Sequence, residues 1–408
     1  MPQLTMSLPL RVSAPRAPRR SVVFATLLVL LALAAIPSAA SARVSQGFAG
    51  VTLEGPLYPD TDAHLSLTHE MDRMVASGVE SVRATFNWSS AQPYASWSDV
   101  PASKMGQFVA GPGNVPTDFT ITDQLVTLAA QHRLSVLPVV VYAPFWDRTG
   151  GRLQPANNGP YAQFLTALIA RYGPNGSFWA SHPQVPRQPI RAWQVWNEPD
   201  VSLYWTHPEN FQPSYVALLK AAHDAIKHAD PGATVVLAGM PNYSWEYLKG
   251  IYRIKGARSL FDVVAVHPYT NEPAGVVSIL YRVRQVMNSY GDGRKSILAS
   301  EIGWPSALYQ SHQKYGYKTT EAGQASKTAA LLPMLAGNRS RLRLMGFDYE
   351  TWMNTEYHEA PSFNFSGLVK FTKSGKALAK PALTAYRNAA LAMERCRRKG
   401  AQATACLH

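Results

Sequence analysis

The chain has 408 residues, room for one large domain or two of average size, and its 46% hydrophobic and 16% charged content is that of a globular protein with a sizeable core. The formal net charge of +13 admits nucleic acid, an anionic membrane or an acidic polymer as partner, but Lys and Arg are scattered apart from Arg395, Arg397, Arg398 and Lys399, and no nucleic-acid motif accompanies them. A solvated basic surface is the preferred reading and an anionic polysaccharide or envelope surface the sharper one, while Cys396 and Cys406 stand far from every motif below, which excludes thiol catalysis and a Cys-based metal site.

At the N-terminus, Arg19 and Arg20 precede an apolar run from Val22 to Ile36, followed by Ser38-Ala39-Ala40-Ser41-Ala42. A positive end, a short apolar middle and a small-residue exit predict a secretory signal over residues 1–42. The run is too short for a comfortable membrane span, although an uncleaved anchor is the alternative, and the Arg pair weakly resembles a twin-arginine signal. No later segment has 18 consecutive apolar residues, so the expectation is a secreted monomer with no membrane span after cleavage. Residues 43–395 are expected to form one domain and 396–408 a tail, in which the two cysteines could pair and close a small loop in an oxidising compartment.

From there short β-branched runs alternate with longer amphipathic stretches. Strands are expected over Gly47–Val51, Val79–Phe86, Leu134–Tyr142, Ile190–Trp196, Thr234–Ala238, Val263–His267, Ser296–Ile302 and Leu342–Tyr349. Helices are expected between and after them, over Leu65–Ser77, Ile121–His132, Tyr161–Tyr172, Phe211–His228, Ser244–Ile251, Ala274–Ser289, Glu321–Ala336 and Pro381–Glu394. Leu134–Tyr142 is nearly all apolar, as befits a strand buried on both faces. Eight strand–helix units predict an α/β fold with a parallel sheet closed into a (β/α)₈ TIM barrel; an open doubly wound sheet is the rival, but no Gly-rich phosphate turn follows the first strand. The loops Ala91–Thr117, Asp147–Pro160 and Arg171–Arg187 are long and would wall the active face.

Two strands end in the same way. Trp193-Gln194-Val195-Trp196 runs into Asn197-Glu198-Pro199-Asp200, and Ser296-Ile297-Leu298-Ala299-Ser300 runs into Glu301-Ile302-Gly303-Trp304. Each Glu emerges at a strand C-terminus, where barrel active sites lie, and Pro199 turns the chain outward. Two carboxyl groups facing one another are what glycosidic bond cleavage needs: a protonated one for the leaving oxygen and an ionised one across the sugar, about 5–5.5 Å apart in retaining enzymes. Either Glu alone reads as a surface or salt-bridged residue. The remaining His residues show no metal-ligand spacing, so no metal and no cofactor is expected.

Asn197-Glu198-Pro199 on the fourth strand with Glu301 on the seventh resembles the signature of the large clan of (β/α)₈ β-glycosidases, and within it the family 5 and family 39 groups, over most of the chain from Gly47 to the final helix. The resemblance implies Glu198 as acid/base and Glu301 as nucleophile. It implies that Asn197 bonds the sugar 2-hydroxyl, that Tyr269 of His267-Pro268-Tyr269 orients the nucleophile, that Arg83 touches its carboxylate, and that Trp352 is the platform under the reacting sugar. Trp146 and Trp304 are further candidates for sugar contact. His267 as a core histidine, Arg83 as a structural ion-pair partner and the three Trp as core residues are the competing readings. The implied activity is retaining hydrolysis of a poly- or oligosaccharide; the alternatives are a non-catalytic glycan-binding envelope protein on the same barrel, or a transglycosylase.

Overall fold

The computed structural model describes residues 44–394, apart from 59–60, 62–64, 149–152 and 315. The expected secretory segment and the two cysteines lie outside the described residues. Eight parallel strands form the barrel: β1 (Ala49–Leu53), β2 (Ser81–Asn87), β3 (Ser135–Val141), β4 (Ala192–Val195), β5 (Thr234–Val236), β6 (Val263–His267), β7 (Ser296–Ile302) and β8 (Leu344–Tyr349). Each pairs with the next in sequence, and β1 pairs with β8 in the register Ala49↔Phe347, so the sheet closes on itself. Each strand is followed by a helix on the outside: α1 (Leu67–Ala76), α2 (Thr120–Gln131), α3 (Asn158–Tyr172), α4 (Gln212–Ala229), α5 (Ser244–Tyr252), α6 (Pro273–Ser289), α7 (Glu321–Leu342) and α8 (Pro381–Met393). No described helix is long and apolar enough to cross a membrane.

The helices bury their apolar stripes against outward-facing strand residues such as Val82, Ala84 and Phe86 of β2, which have no solvent exposure. Inside the barrel the chemistry changes along the axis. One end is plugged by Leu137, Ala192, Val236, Val263, Ala265 and Leu298. Further along, inward positions carry Arg83, Gln194, His267, Glu301 and Asp348, all buried. Alternation along a strand sends every second side chain inward, so a short apolar plug supports a polar layer directly above it. Gly50 on β1 makes room for that layer: a Cβ there would stand 2.2 Å from Asp348 Oδ1.

Two local features differ from expectation. α7 runs on through Pro333 to Leu342, where Arg343 closes it in the left-handed conformation; burial of Leu335, Ala336 and Leu342 outweighs the one backbone bond that proline removes. The loops also carry short elements of their own, among them a hairpin pairing Val109 with Thr117 and a small sheet joining Met353–Thr355, Val369–Phe371 and Ala377–Ala379.

Candidate active site

Glu198 leaves the C-terminal end of β4 through a strained turn. Trp196 and Glu198 have φ of 70° and 40°, a left-handed backbone that costs a non-glycine residue about 1–2 kcal/mol. The turn is pinned on both sides. Trp196 is fully buried, edge-to-face with Tyr161 and Trp205, and the Glu198 N–H donates to the Gly239 carbonyl at 3.1 Å. Glu301 is brought inward by an irregularity of β7, whose register with β8 shifts between Ala299 and Ile302, so that Leu298 and Glu301, three residues apart, both face the barrel interior.

The two carboxylates meet at His267. Its Nδ1 lies 2.7 Å from Glu198 Oε1 and 3.2 Å from Glu301 Oε2, and one carboxylate oxygen of each Glu and this nitrogen all fall within 4.8 Å of one another. Both oxygens of Glu301 are held by donors: Arg83 Nη1 reaches Oε1 at 2.7 Å and the Tyr269 hydroxyl reaches Oε2 at 2.7 Å. Arg83 is itself fixed by β4, donating Nη2 to Asn197 Oδ1 at 2.7 Å and Nε to Gln194 Oε1 at 3.1 Å. One guanidinium therefore sets the nucleophile candidate and the Asn beside the acid candidate in a single frame.

The environments push the pair apart. Burial raises Glu301, but His267, Arg83 and Tyr269 more than offset it and hold its carboxyl below the usual range. Burial raises Glu198 as well, and there the charge of Glu301 adds to the rise, so that despite His267 its carboxyl stays above the usual range. The Tyr269 hydroxyl is driven far above its ordinary value by burial and by Glu301, and it remains a donor. One carboxylate is thus ionised and the other poised to carry a proton, a division of labour suited to acid and nucleophile. Glu198, His267 and Glu301 also have the composition of a cation site, but Arg83 and Tyr269 already occupy both oxygens of Glu301, which disfavours a metal there.

Of the residues singled out from sequence, Arg83, Asn197, Glu198, His267, Tyr269 and Glu301 come together. The three tryptophans do not join them. Trp352 has no solvent exposure and its indole N–H donates to Glu70 of α1 at 2.8 Å, so the ring packs between barrel and helix and offers no platform. Trp304 is 1% exposed and donates to the Thr270 carbonyl at 2.7 Å, tying down the loop after β6. Trp146 is half-buried, edge-to-face with Trp88, and donates to the Gln92 carbonyl.

Two acidic residues were missed. Glu54 follows β1 and Glu350 follows β8, and because those strands are neighbours in the closed barrel their carboxyl groups come together. Burial raises both. A signal existed, since each is a Glu at the C-terminal end of a barrel strand, as Glu198 and Glu301 are.

No protein-family profile matches the sequence, and no curated protein matches it. Solved structures share the fold. The chain is similar to a family 39 glycoside hydrolase from the gut symbiont Bacteroides cellulosilyticus at 17% identity and a TM-score of 0.58, covering 86% of this chain and 64% of that one, just under two thirds of its length. It is similar to a glucosidase from Croceicoccus marinus at 15% identity and a TM-score of 0.59, covering 86% and 69%. It is also similar to the β-glycosidase BGL167 at 13% identity and a TM-score of 0.57, covering 87% and 98%. These likenesses establish the (β/α)₈ architecture.

Proposed function

We propose that the protein is an exported, monomeric, retaining β-glycosidase that hydrolyses O-glycosidic bonds of an oligo- or polysaccharide. The observation that carries this reading is the hold on Glu301: both oxygens accept from Arg83 and Tyr269, and one lies within 4.8 Å of a Glu198 oxygen, in surroundings that lower the carboxyl of Glu301 and raise that of Glu198. A separation this short suits a direct attack by the nucleophile, since inverting enzymes hold their carboxyl groups about 6.5–9.5 Å apart to admit a water. The glycoside hydrolases that share the fold support it too. Export rests on the charge and hydropathy pattern of residues 1–42.

The chemistry follows from the two states. A Glu301 oxygen attacks the anomeric carbon, and as that bond forms the bond to the leaving oxygen breaks. Glu198 gives its proton to that oxygen, becoming a carboxylate. The sugar is now an ester of Glu301, whose negative charge has gone, so the repulsion that raised Glu198 is relieved. Glu198 then takes a proton from a water that attacks the same carbon, and Glu301 is released as carboxylate. Asn197, held by Arg83, lies beside the acid where a hydroxyl of the reacting sugar is within reach.

The test is a panel of aryl β-glycosides offered to wild type, Glu198→Gln and Glu301→Gln, with intact-mass analysis after a slow fluorinated glycoside. Turnover that both substitutions sharply reduce, with a sugar adduct on the wild type and on Glu198→Gln but none on Glu301→Gln, is the expected result. Undiminished turnover in Glu301→Gln rules out the nucleophile, and no turnover of any glycoside by wild type rules out the activity.

A further inference from the structure

Away from the barrel mouth, one side of the helical wall is grooved. A groove of about 690 Å³ runs between α5 and α6, and one of about 190 Å³ lies between α6 and α7. They share Ser278 and Tyr281 and so form one depression across three helices. Its length is set by a single stripe of α6: Ser278, Arg282, Gln285 and Ser289 follow one another at steps of four, three and four residues, the spacing that keeps side chains on one helix face. At the rise of an α-helix this stripe is about 16 Å long, the span of a short oligosaccharide.

Two arginines flank the stripe, each set on a ring. The Arg282 guanidinium lies over the Trp245 ring of α5, 4.8 Å from its centroid, and the Arg341 guanidinium of α7 lies over the Tyr281 ring of α6 at 4.5 Å. The rings hold the cations in place, so less side-chain freedom is lost when a ligand arrives. Among the described residues, no carboxylate pairs with either guanidinium and no acceptor takes their N–H groups. Glu246 is the one acidic residue among the described residues lining the two grooves, and Lys249 already pairs with it at 2.8 Å. Two exposed, preset guanidinium forks therefore stand without counter-charge on a chain whose net charge is +13. Such a fork takes a carboxylate in a bidentate pair. Trp245 packs against the core and is covered by Arg282, which leaves nucleobases no stacking platform there. Ser278, Gln285 and Ser289 offer partners for hydroxyl groups, which a polyphosphate lacks and a chain of uronic acids carries on every ring.

We propose that this groove binds an acidic polysaccharide, with Arg282 and Arg341 taking its carboxylates and Ser278, Gln285 and Ser289 meeting its hydroxyl groups. The site lies on the outer wall of the barrel and does not depend on the glycosidase reading; it holds the chain on an acidic polymer while the mouth stays open. In the test, the full chain is titrated against a fluorescent oligogalacturonate and read by anisotropy, alongside a neutral dextran oligosaccharide, polyphosphate and single-stranded DNA of similar length. The oligogalacturonate should bind at least about tenfold tighter than the neutral sugar, and more weakly as salt rises. Arg282→Gln and Arg341→Gln, made separately so that one serves if the other fails to fold, should each weaken binding at least about threefold. Lys104→Gln and Lys376→Gln remove the same charge from exposed positions on other loops and should change it by less than about 1.5-fold. Four results overturn the proposal: equal binding of acidic and neutral sugars, binding untouched by both arginine substitutions, equal losses from the lysine substitutions, or tighter binding of polyphosphate or DNA than of oligogalacturonate. The second of these places the acidic sugar elsewhere on the chain, the barrel mouth included.

Discussion

Replacing Gly239 with Ala should damage catalysis without touching a catalytic residue. A Cβ at this position would stand 1.9 Å from His267 Nε2, 2.4 Å from Cδ2 and 2.6 Å from Cε1. His267 has no solvent exposure, so its ring has no free space to retreat into and must tilt away from Gly239 or force the backbone apart. Overpacking of this kind costs about 1–3 kcal/mol, or about 1–4 °C in Tm for a domain of this size. The catalytic loss is larger, because tilting the ring draws Nδ1 from its 2.7 Å contact with Glu198 and 3.2 Å contact with Glu301. Loss of the positioned hydrogen bond to Glu198, together with the close contact to Glu301, should lower kcat/KM by about 10²-fold or more. The pH profile carries the specific signature. His267 lowers both carboxyl groups, so its displacement raises both. Glu301 must be ionised and Glu198 protonated, and both limbs of the kcat/KM profile should therefore move to higher pH. The assay is a pH series with an aryl β-glycoside alongside thermal unfolding. A Gly239→Ala protein with a wild-type profile and wild-type activity would refute the reasoning.

Arg83→Met should lower kcat/KM by about 10³-fold and move the acid limb upward, since Glu301 loses its strongest donor, and should cost about 3–5 kcal/mol of stability by leaving buried carboxylates without their cation; steady-state kinetics and denaturant titration check it, and unchanged kinetics would sink the role of Arg83. Tyr269→Phe removes only the 2.7 Å hydroxyl contact with Glu301 Oε2, so kcat should fall about 10²-fold with little change in Tm; equal losses of stability and activity would point to a packing role instead. Trp352→Phe should cost stability through its lost bond to Glu70 and change KM by less than about twofold, which titration of activity against substrate concentration decides. Burial pushes Asp348 and Glu80 up to about 7, and burial together with the charge of Glu198 pushes Asp200 up to about 8. Between about pH 4 and these values the folded chain keeps protons that the unfolded chain has lost, so stability falls as pH rises through that window. Tm should be higher near pH 5 than near pH 8, and a flat or rising trend in scanning calorimetry would contradict the burial of these carboxyls.

What was legible in the sequence was local. An apolar run buried on both faces, such as Leu134–Tyr142, announces a parallel strand within its own length, and eight such units spaced by amphipathic stretches admit few arrangements. The ends of those runs place Glu198 and Glu301, and side-chain alternation alone sends Arg83 inward. Closure of the barrel decided the rest. Glu54 and Glu350 are separated by almost the whole chain and meet only because β1 pairs with β8. Gly239 and His267 are an unremarkable pair in sequence, yet the missing Cβ of one is the space for the imidazole of the other. Trp352 sits beside a strand end like the catalytic residues, but its indole N–H donates to Glu70 of α1, a partner that only the packing of helix against barrel supplies. Strand periodicity and strand-end carboxylates are properties of short windows of sequence. Which carboxyl groups face one another and which ring is walled in depend on distances between strands far apart in the chain, and those exist only once the sheet has closed.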